Sequence, residues 1–284
     1  MTEVKRKKRG ISGPIAQTVL YICLILILLL VLMPLLVTLL LSLKAPYEHM
    51  QSIWKFPEVP MWGYYVEAFN GIIGSVLNSL IVCISTTAGV VLFSSATAYV
   101  FSRHTFWGRE FLFSCILALM MIPSVLTMTP SFLTILGLGL KATRWALILP
   151  GIAGGQVGAI FLFRTFFSQQ PKDLFESATL DGANDLVMYA KITLPLAVPI
   201  LIIQALGTFS LMYNDFLWPT LVIDIDSPIQ TLMPKLKNLA EQANATKPGV
   251  AYAMYLLAGV PLIFFSMFGL KYFINGDFAS GMKL

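Results

Sequence analysis

Residues Pro171–Pro195 read PKDLFESATLDGANDLVMYAKITLP, and the fold turns on what this stretch is. It sets four carboxylates, Asp173, Glu176, Asp181 and Asp185, in a chain that is only 12% charged. Pro171 suits the first turn of a helix, where a missing N–H costs nothing. Asp173 and Glu176 follow in that turn, where the helix dipole favours negative charge. Ser177 and Ala178 leave part of the helix surface flat, open to close approach by another backbone. Asp181-Gly182 reads as a turn, because glycine accepts positive φ without steric cost. A second short helix over Asn184–Thr193 is expected to end before Leu194-Pro195, where an apolar run begins. The stretch is therefore a compact polar knob between two apolar blocks.

The blocks on either side set the class. The chain is 57% hydrophobic, with a mean hydropathy of +0.79, beyond the apolar share of a soluble domain. The apolar residues come in long runs, near Ile15–Leu43, Ile73–Phe101, Phe111–Leu136, Trp145–Phe167, Leu196–Val222 and Val250–Phe273. At about 1.5 Å per residue, such runs cross about 30 Å of hydrocarbon as helices. The sequence thus predicts an all-α polytopic membrane protein with six spans. The first run is too long for a signal peptide and leads into SLKAPYEHM with no small-residue cleavage site. Pro34 is expected to kink it, and Pro123 and Pro130 to break the third. Residues 1–14 form a basic N-terminus, 44–72 a polar outer loop, 73–274 a five-span core with loops 171–195 and 223–249, and 275–284 a tail.

Charge placement orients the spans. With the N-terminus inside, 12 of the 19 lysines and arginines fall on cytoplasmic segments, five of them in Lys5–Arg9. This places both termini and the knob in the cytoplasm, and the choice depends on the N-terminal cluster. The formal charge of +5 is a matter of topology: the basic residues form no stripe with interleaved aromatics, so no nucleic-acid partner is indicated. Cys23, Cys83 and Cys115 lie inside apolar runs without CxxC spacing, which points to no disulfide framework and no metal site.

The knob resembles the EAA loop of bacterial ABC-importer permeases, E-A-A-x-x-x-G followed by I-x-L-P. The matching residues are Glu176, Ser177, Ala178, Gly182, Ile192, Leu194 and Pro195, with Ser177 in place of the first alanine. Asp181-Gly182-Ala183 matches the form found in the carbohydrate-uptake branch. Other stretches agree. Ala98–Arg103 with Phe106 and Gly108-Arg109 resembles the A-Y-x-F-x-R…F-x-G-K/R turn after the second span. Tyr213–Pro219 resembles W-N-D/E-F-x-W-P, with Tyr213 where tryptophan is usual. The resemblance covers nearly the whole chain and is closest to the six-span G-type partner of two-permease sugar importers.

That resemblance implies a division of labour. The knob would be the coupling helix seated in a cleft of a homodimeric ATP-binding subunit, with Phe175, Glu176, Ser177, Ala178, Asp181, Gly182 and Ala183 at the contact. Gly281, Met282 and Lys283 in the tail would reach the same ATPase. ATP and magnesium would be bound by that partner, leaving no cofactor and no catalytic residue in this chain. The tail glycines do not make a phosphate loop, since Met282 stands where lysine must follow. A second permease, an extracytoplasmic substrate-binding protein, a sugar and membrane lipid complete the implied partners, in a bacterial cytoplasmic membrane. Gln242, Asn244 and Thr246 are candidates for meeting the binding protein.

Candidates along the substrate path are Asn214, Asp215, Tyr213, Gln204 and Asn78. Asp215 is the one carboxylate inside or at the edge of an apolar run, and an intramembrane charge points to function. With Asn214 it has the chemistry to bond sugar hydroxyls; the other reading is that the two brace a helix break before Pro219. Gln204 and Asn78 also read as helix–helix hydrogen bonds, and Tyr213 as an interfacial aromatic. Import of a non-sugar solute remains a second reading. A secondary transporter would show internal repeats and paired mid-membrane charges, and neither is clear here. With only His49 and His104 in the chain, on opposite sides of the membrane in this topology, a histidine-based catalytic pair is excluded.

Overall fold

The computed structural model describes residues 14–274. Over this range the chain is helical: α1 (Pro14–Ser42), α2 (Gly63–Arg103), α3 (Arg109–Met120), α4 (Ser124–Gly137), α5 (Trp145–Ser168), α6 (Lys172–Leu180), α7 (Asp185–Met188), α8 (Leu194–Tyr213), α9 (Leu217–Val222), α10 (Leu232–Thr246) and α11 (Pro248–Ile274). Among the described residues, five helices are long and apolar enough to cross a membrane, and six crossings result if the bent pair α3 and α4 counts as one.

The apolar runs place the helices, and the breakers place their limits. α3 and α4 meet at 101° across Met121–Pro123, because Pro123 has no N–H to donate and forces Ile122 out of helical backbone. Pro130 sits inside α4 without ending it. The helix expected to stop before Leu194-Pro195 instead runs on. α7, a π-helical turn over Tyr189–Thr193 and α8 join as one 29-residue span, Asp185–Tyr213. Pro195 cannot donate the bond a regular helix needs there, and the wider turn just before it absorbs the mismatch. At the other end the fifth run is shorter than its hydropathy suggests: α8 ends at Tyr213, and the short α9 follows.

The described residues divide into two compact units, 14–68 with 240–256 and 69–239 with 257–274. In the first unit α1 is exposed along its leucines, as suits a helix whose solvent is hydrocarbon. The loop after it is built around two buried charges. Lys44 Nζ donates to the carbonyls of Ser52 at 2.6 Å and Ile53 at 3.2 Å. Glu48 accepts the N–H of Glu58 and that of Ala45, each at 2.8 Å. These two bonds, that from Glu58 foremost, hold its carboxyl below the usual carboxylate range. His49 stacks on Tyr252, and Gly249 lies so close to the Tyr64 ring that a Cβ would sit 2.7 Å from it. The loop is therefore ordered, and it ends ten residues earlier than the hydropathy indicates, since α2 begins at Gly63.

In the second unit α5 packs against α3, α8 and α9. It meets α2 through glycines: a Cβ on Gly151 would fall 2.8 Å from Thr86, and one on Gly155 2.7 Å from Val90. The small-residue spacing at Gly151 and Gly155 thus serves close helix approach inside this chain. Gly154 and Gly158, the second such spacing, have open space around them. α8 meets the later part of α11, where Tyr213 Oη donates to the Ala258 carbonyl at 2.8 Å and Phe209 stacks on Phe265.

Candidate functional site

The knob is a short helix closed by a glycine. α6 covers Lys172–Leu180, with Pro171 as its N-cap and Asp173 in its first turn. Its end is a Schellman motif: Ala183 N–H bonds Ala178 O at 2.9 Å, and Gly182 N–H bonds Thr179 O at 3.0 Å. Gly182 takes φ +81°, the left-handed backbone that a side chain penalises. Asn184 then starts α7, its Oδ1 accepting the Val187 N–H at 2.9 Å. Between them the two caps satisfy the helix ends that face each other across the turn.

The faces of α6 differ sharply. Leu180 is 90% exposed and Leu186 73%, with Leu174 and Val187 also exposed. Glu176, Ser177, Asp181 and Gly182 share this exposed surface, while Ala178 and Ala183 are half-buried. Phe175, which the motif reading puts at the contact, is only 9% exposed and belongs to the core formed with Tyr99, Phe163, Phe167 and Ala197. Its ring faces inward, so it anchors the knob from beneath.

Beneath the knob, polar groups tie the elements together. The Arg103 guanidinium lies 3.6 Å over the Phe175 ring. Its Nη2 donates to Phe167 O at 2.8 Å and Gln170 Oε1 at 3.2 Å. Gln170 Nε2 passes the link on to Thr193 O at 3.1 Å. Tyr189 Oη and Ser95 Oγ share a hydrogen bond of 2.7 Å. His104 Nε2 stands 3.4 Å from Asp185 Oδ1, but both side chains are exposed, and exposed pairs contribute about 0–1 kcal/mol. Hydrogen bonds to a charged group contribute about 1.5–3 kcal/mol each, so the Arg103 contacts dominate the attachment.

A second polar cluster lies around α9. Asn78 Nδ2 donates to the carbonyls of Pro228 at 2.7 Å and Gln230 at 3.2 Å, and its Oδ1 accepts from Arg144 Nη2 at 2.9 Å. Asp215 Oδ1 accepts the Trp218 N–H at 3.3 Å, across the break between α8 and α9. Trp218 Nε1 donates to Ala146 O at 2.8 Å. Asn214 Nδ2 bonds back to Ser210 O, and Gln204 Nε2 to Thr208 Oγ1. Tyr213 is buried with its hydroxyl given to Ala258. The structure thus brings Asn78, Gln230, Asp215 and Trp218 into backbone-supporting roles, with Arg144 held on the Asn78 side chain, and Gln204 bonds along its own helix. Arg144 and Gln230 are not legible as partners, because sequence gives no sign that residues 66 and 152 positions away come onto Asn78.

Gln242, Asn244 and Thr246 are exposed on the last turns of α10, a helix where a loop is expected from the sequence. Gly281, Met282 and Lys283 lie outside the described residues, as does the Lys5–Arg9 cluster. Among the described residues, no three His, Cys, Asp or Glu side chains gather as a metal site requires.

Residues 90–275 match the family model described as binding-protein-dependent transport system inner membrane component. The chain belongs to that family. This inner membrane component is a multi-pass protein, and the matched range takes in α3 to α11 and the whole attachment of the knob, from Ser95 to Thr193. The chain is 34% identical over 99% of its length to the probable ABC transporter permease protein YurM of Bacillus subtilis, covering 93% of that protein. It is 31% identical to the arabinooligosaccharides transport system permease protein AraQ of the same organism, over 80% of each chain. In fold, the inner membrane component resembles a chain of a bacterial ABC transporter involved in import of the acidic polysaccharide alginate. The TM-score is 0.78 at 22% identity, covering 96% of this chain and 100% of that one.

Proposed function

We propose that this permease imports a sugar or oligosaccharide, with α6 and its glycine turn as the cytoplasmic coupling helix. Both termini lie in the cytoplasm in this reading. A second permease and two copies of an ATP-binding subunit complete the membrane complex, and a binding protein delivers substrate from outside. ATP and magnesium are bound by the ATPase, and this chain supplies no catalytic group. The saccharide assignment is supported by the substrate that the AraQ relative is named for, together with the D-G-A form of the turn.

The observation that carries the coupling role is the bare outer surface of α6 and α7. Leu174, Leu180 and Leu186 stand exposed on an otherwise charged knob while Phe175 fastens it from below. Large apolar side chains left exposed among carboxylates mark a docking surface. In the cycle, closure of the ATPase dimer moves the knob, the span entered through Asp185 and the span ending at Ser168 tilt with it, and access alternates between the two sides. Gln242, Asn244 and Thr246 on α10 face the binding protein, and Gly281–Lys283 reach the ATPase.

Affinity purification of the tagged chain, co-expressed with the genes adjacent to its own, tests this. The expected result is a complex with a second permease and an ATPase, whose uptake in proteoliposomes requires ATP and the binding protein. Uptake by the chain alone, without ATP, would overturn it.

A further inference from the structure

We propose that Arg103 is the positioning residue that fixes the knob's angle to the spans, so that a push on α6 becomes a tilt of α2, α5 and α8 together. The inference rests on the coupling role proposed for α6 and adds the part that makes coupling stiff. α6 has one buried side chain, Phe175. A single ring in a core leaves a short helix free to swivel about it. The Arg103 plane lies over that ring at 3.6 Å and removes this freedom. The same guanidinium, at the last residue of α2, bonds the carbonyl of Phe167 near the end of α5. Through Gln170 it also reaches Thr193, in the π turn that opens α8. One side chain therefore joins four elements. Gln170 is buried and has its carbonyl oxygen and amide nitrogen committed on opposite sides, so the link does not slacken by a rotamer change.

A guanidinium is required for both functions at once. Its planar fork stacks on an aromatic face while its edge donates to a carbonyl and a carboxamide. A lysine ammonium makes the polar contacts as a point charge but cannot lie flat on Phe175. The exposed face of α6, with Leu180 and Glu176, contains none of these atoms. Losing Arg103 therefore leaves the docking surface in place and loosens what lies behind it.

The test uses the complete transporter of both permeases, ATPase and binding protein in nanodiscs, with Cys23→Ala, Cys115→Ala and Leu217→Cys in this chain. The readouts are complex yield, ATP hydrolysis and the maleimide labelling rate of the cysteine at 217 with and without ATP and vanadate. With Arg103 present, nucleotide should change the labelling rate by at least about fivefold, the low end of typical coupling between sites. In Arg103→Ala the complex should assemble and hydrolyse ATP, while the nucleotide effect on labelling shrinks to less than about 1.5-fold. Arg103→Lys should fall between. A full nucleotide effect in Arg103→Ala would overturn the positioning role, and so would loss of assembly, which would make Arg103 part of docking. Absence of any nucleotide effect with Arg103 intact would instead count against the coupling role of α6.

Discussion

Arg144 Nη2 donates to Asn78 Oδ1 at 2.9 Å, joining the start of α5 to the middle of α2 across 66 residues of sequence. The amide of the same Asn78 holds the Pro228 and Gln230 carbonyls. One carboxamide thus fixes two spans and the segment that leads into α10, and Ser79 Oγ receives the Leu232 N–H beside it. Asn78→Leu would leave buried carbonyls and a guanidinium without these partners. A stability loss of about 1–3 kcal/mol is expected, the usual cost of stranding buried polar groups. Limited proteolysis of the purified complex checks this: cleavage within residues 223–231 should accelerate, with the rest of the chain unaffected.

Gly182 separates the shape of the knob from its fit to a partner. Its φ of +81° disfavours any side chain, yet a Cβ placed there would meet nothing within 4 Å. Asparagine tolerates this backbone best among non-glycine residues. Gly182→Asn should therefore keep most uptake, while Gly182→Ala should lose stability at the turn by about 1–2 kcal/mol. Gly182→Trp adds bulk that the isolated chain accommodates and a docked ATPase does not. Parallel assays of uptake and ATP hydrolysis should show the two uncoupled in the tryptophan variant well beyond the alanine one.

Asp215 acts on backbone in this structure, accepting the Trp218 N–H where α9 begins. Asparagine keeps an oxygen there and alanine does not. Asp215→Asn should then transport with near-normal kinetics, and Asp215→Ala should lower the melting temperature by the equivalent of about 0.5–2 kcal/mol, as for other lost caps. A large rise in KM for Asp215→Asn, without a change in melting temperature, would show instead that the carboxylate meets substrate.

How far the sequence reveals the structure depends on which signals are local. Span hydropathy is carried by consecutive residues, so α1, α5 and α11 stand close to where the apolar runs put them. The glycine turn is readable because Asp181-Gly182 needs no distant partner to be a turn. Limits set by backbone accommodation are less so. Pro195 reads as a helix stop, yet the π turn at Tyr189–Thr193 carries the helix through it. The break at Pro123 is legible from the proline itself, but its 101° angle is not, since hydropathy is indifferent to direction. α10 escapes a hydropathy reading because its outer residues are polar and a few residues, Leu232, Pro234, Leu236 and Ala240, carry its buried side. Phe175 reads as part of a surface motif, and its inward ring packs in a core with Tyr99, 76 residues earlier in the chain.

The central claim is that the exposed end of α6 sits in a motor subunit. Leu180, 90% exposed in this chain by itself, tests it most directly as Leu180→Cys, in the assembled transporter with Cys23 and Cys115 replaced by alanine. A short bifunctional thiol reagent should join that cysteine to one placed in the ATPase cleft, and addition of ATP should alter the yield. No crosslink in a complex that still hydrolyses ATP, with Leu180→Cys labelled freely by a bulky membrane-impermeant maleimide, would contradict the account.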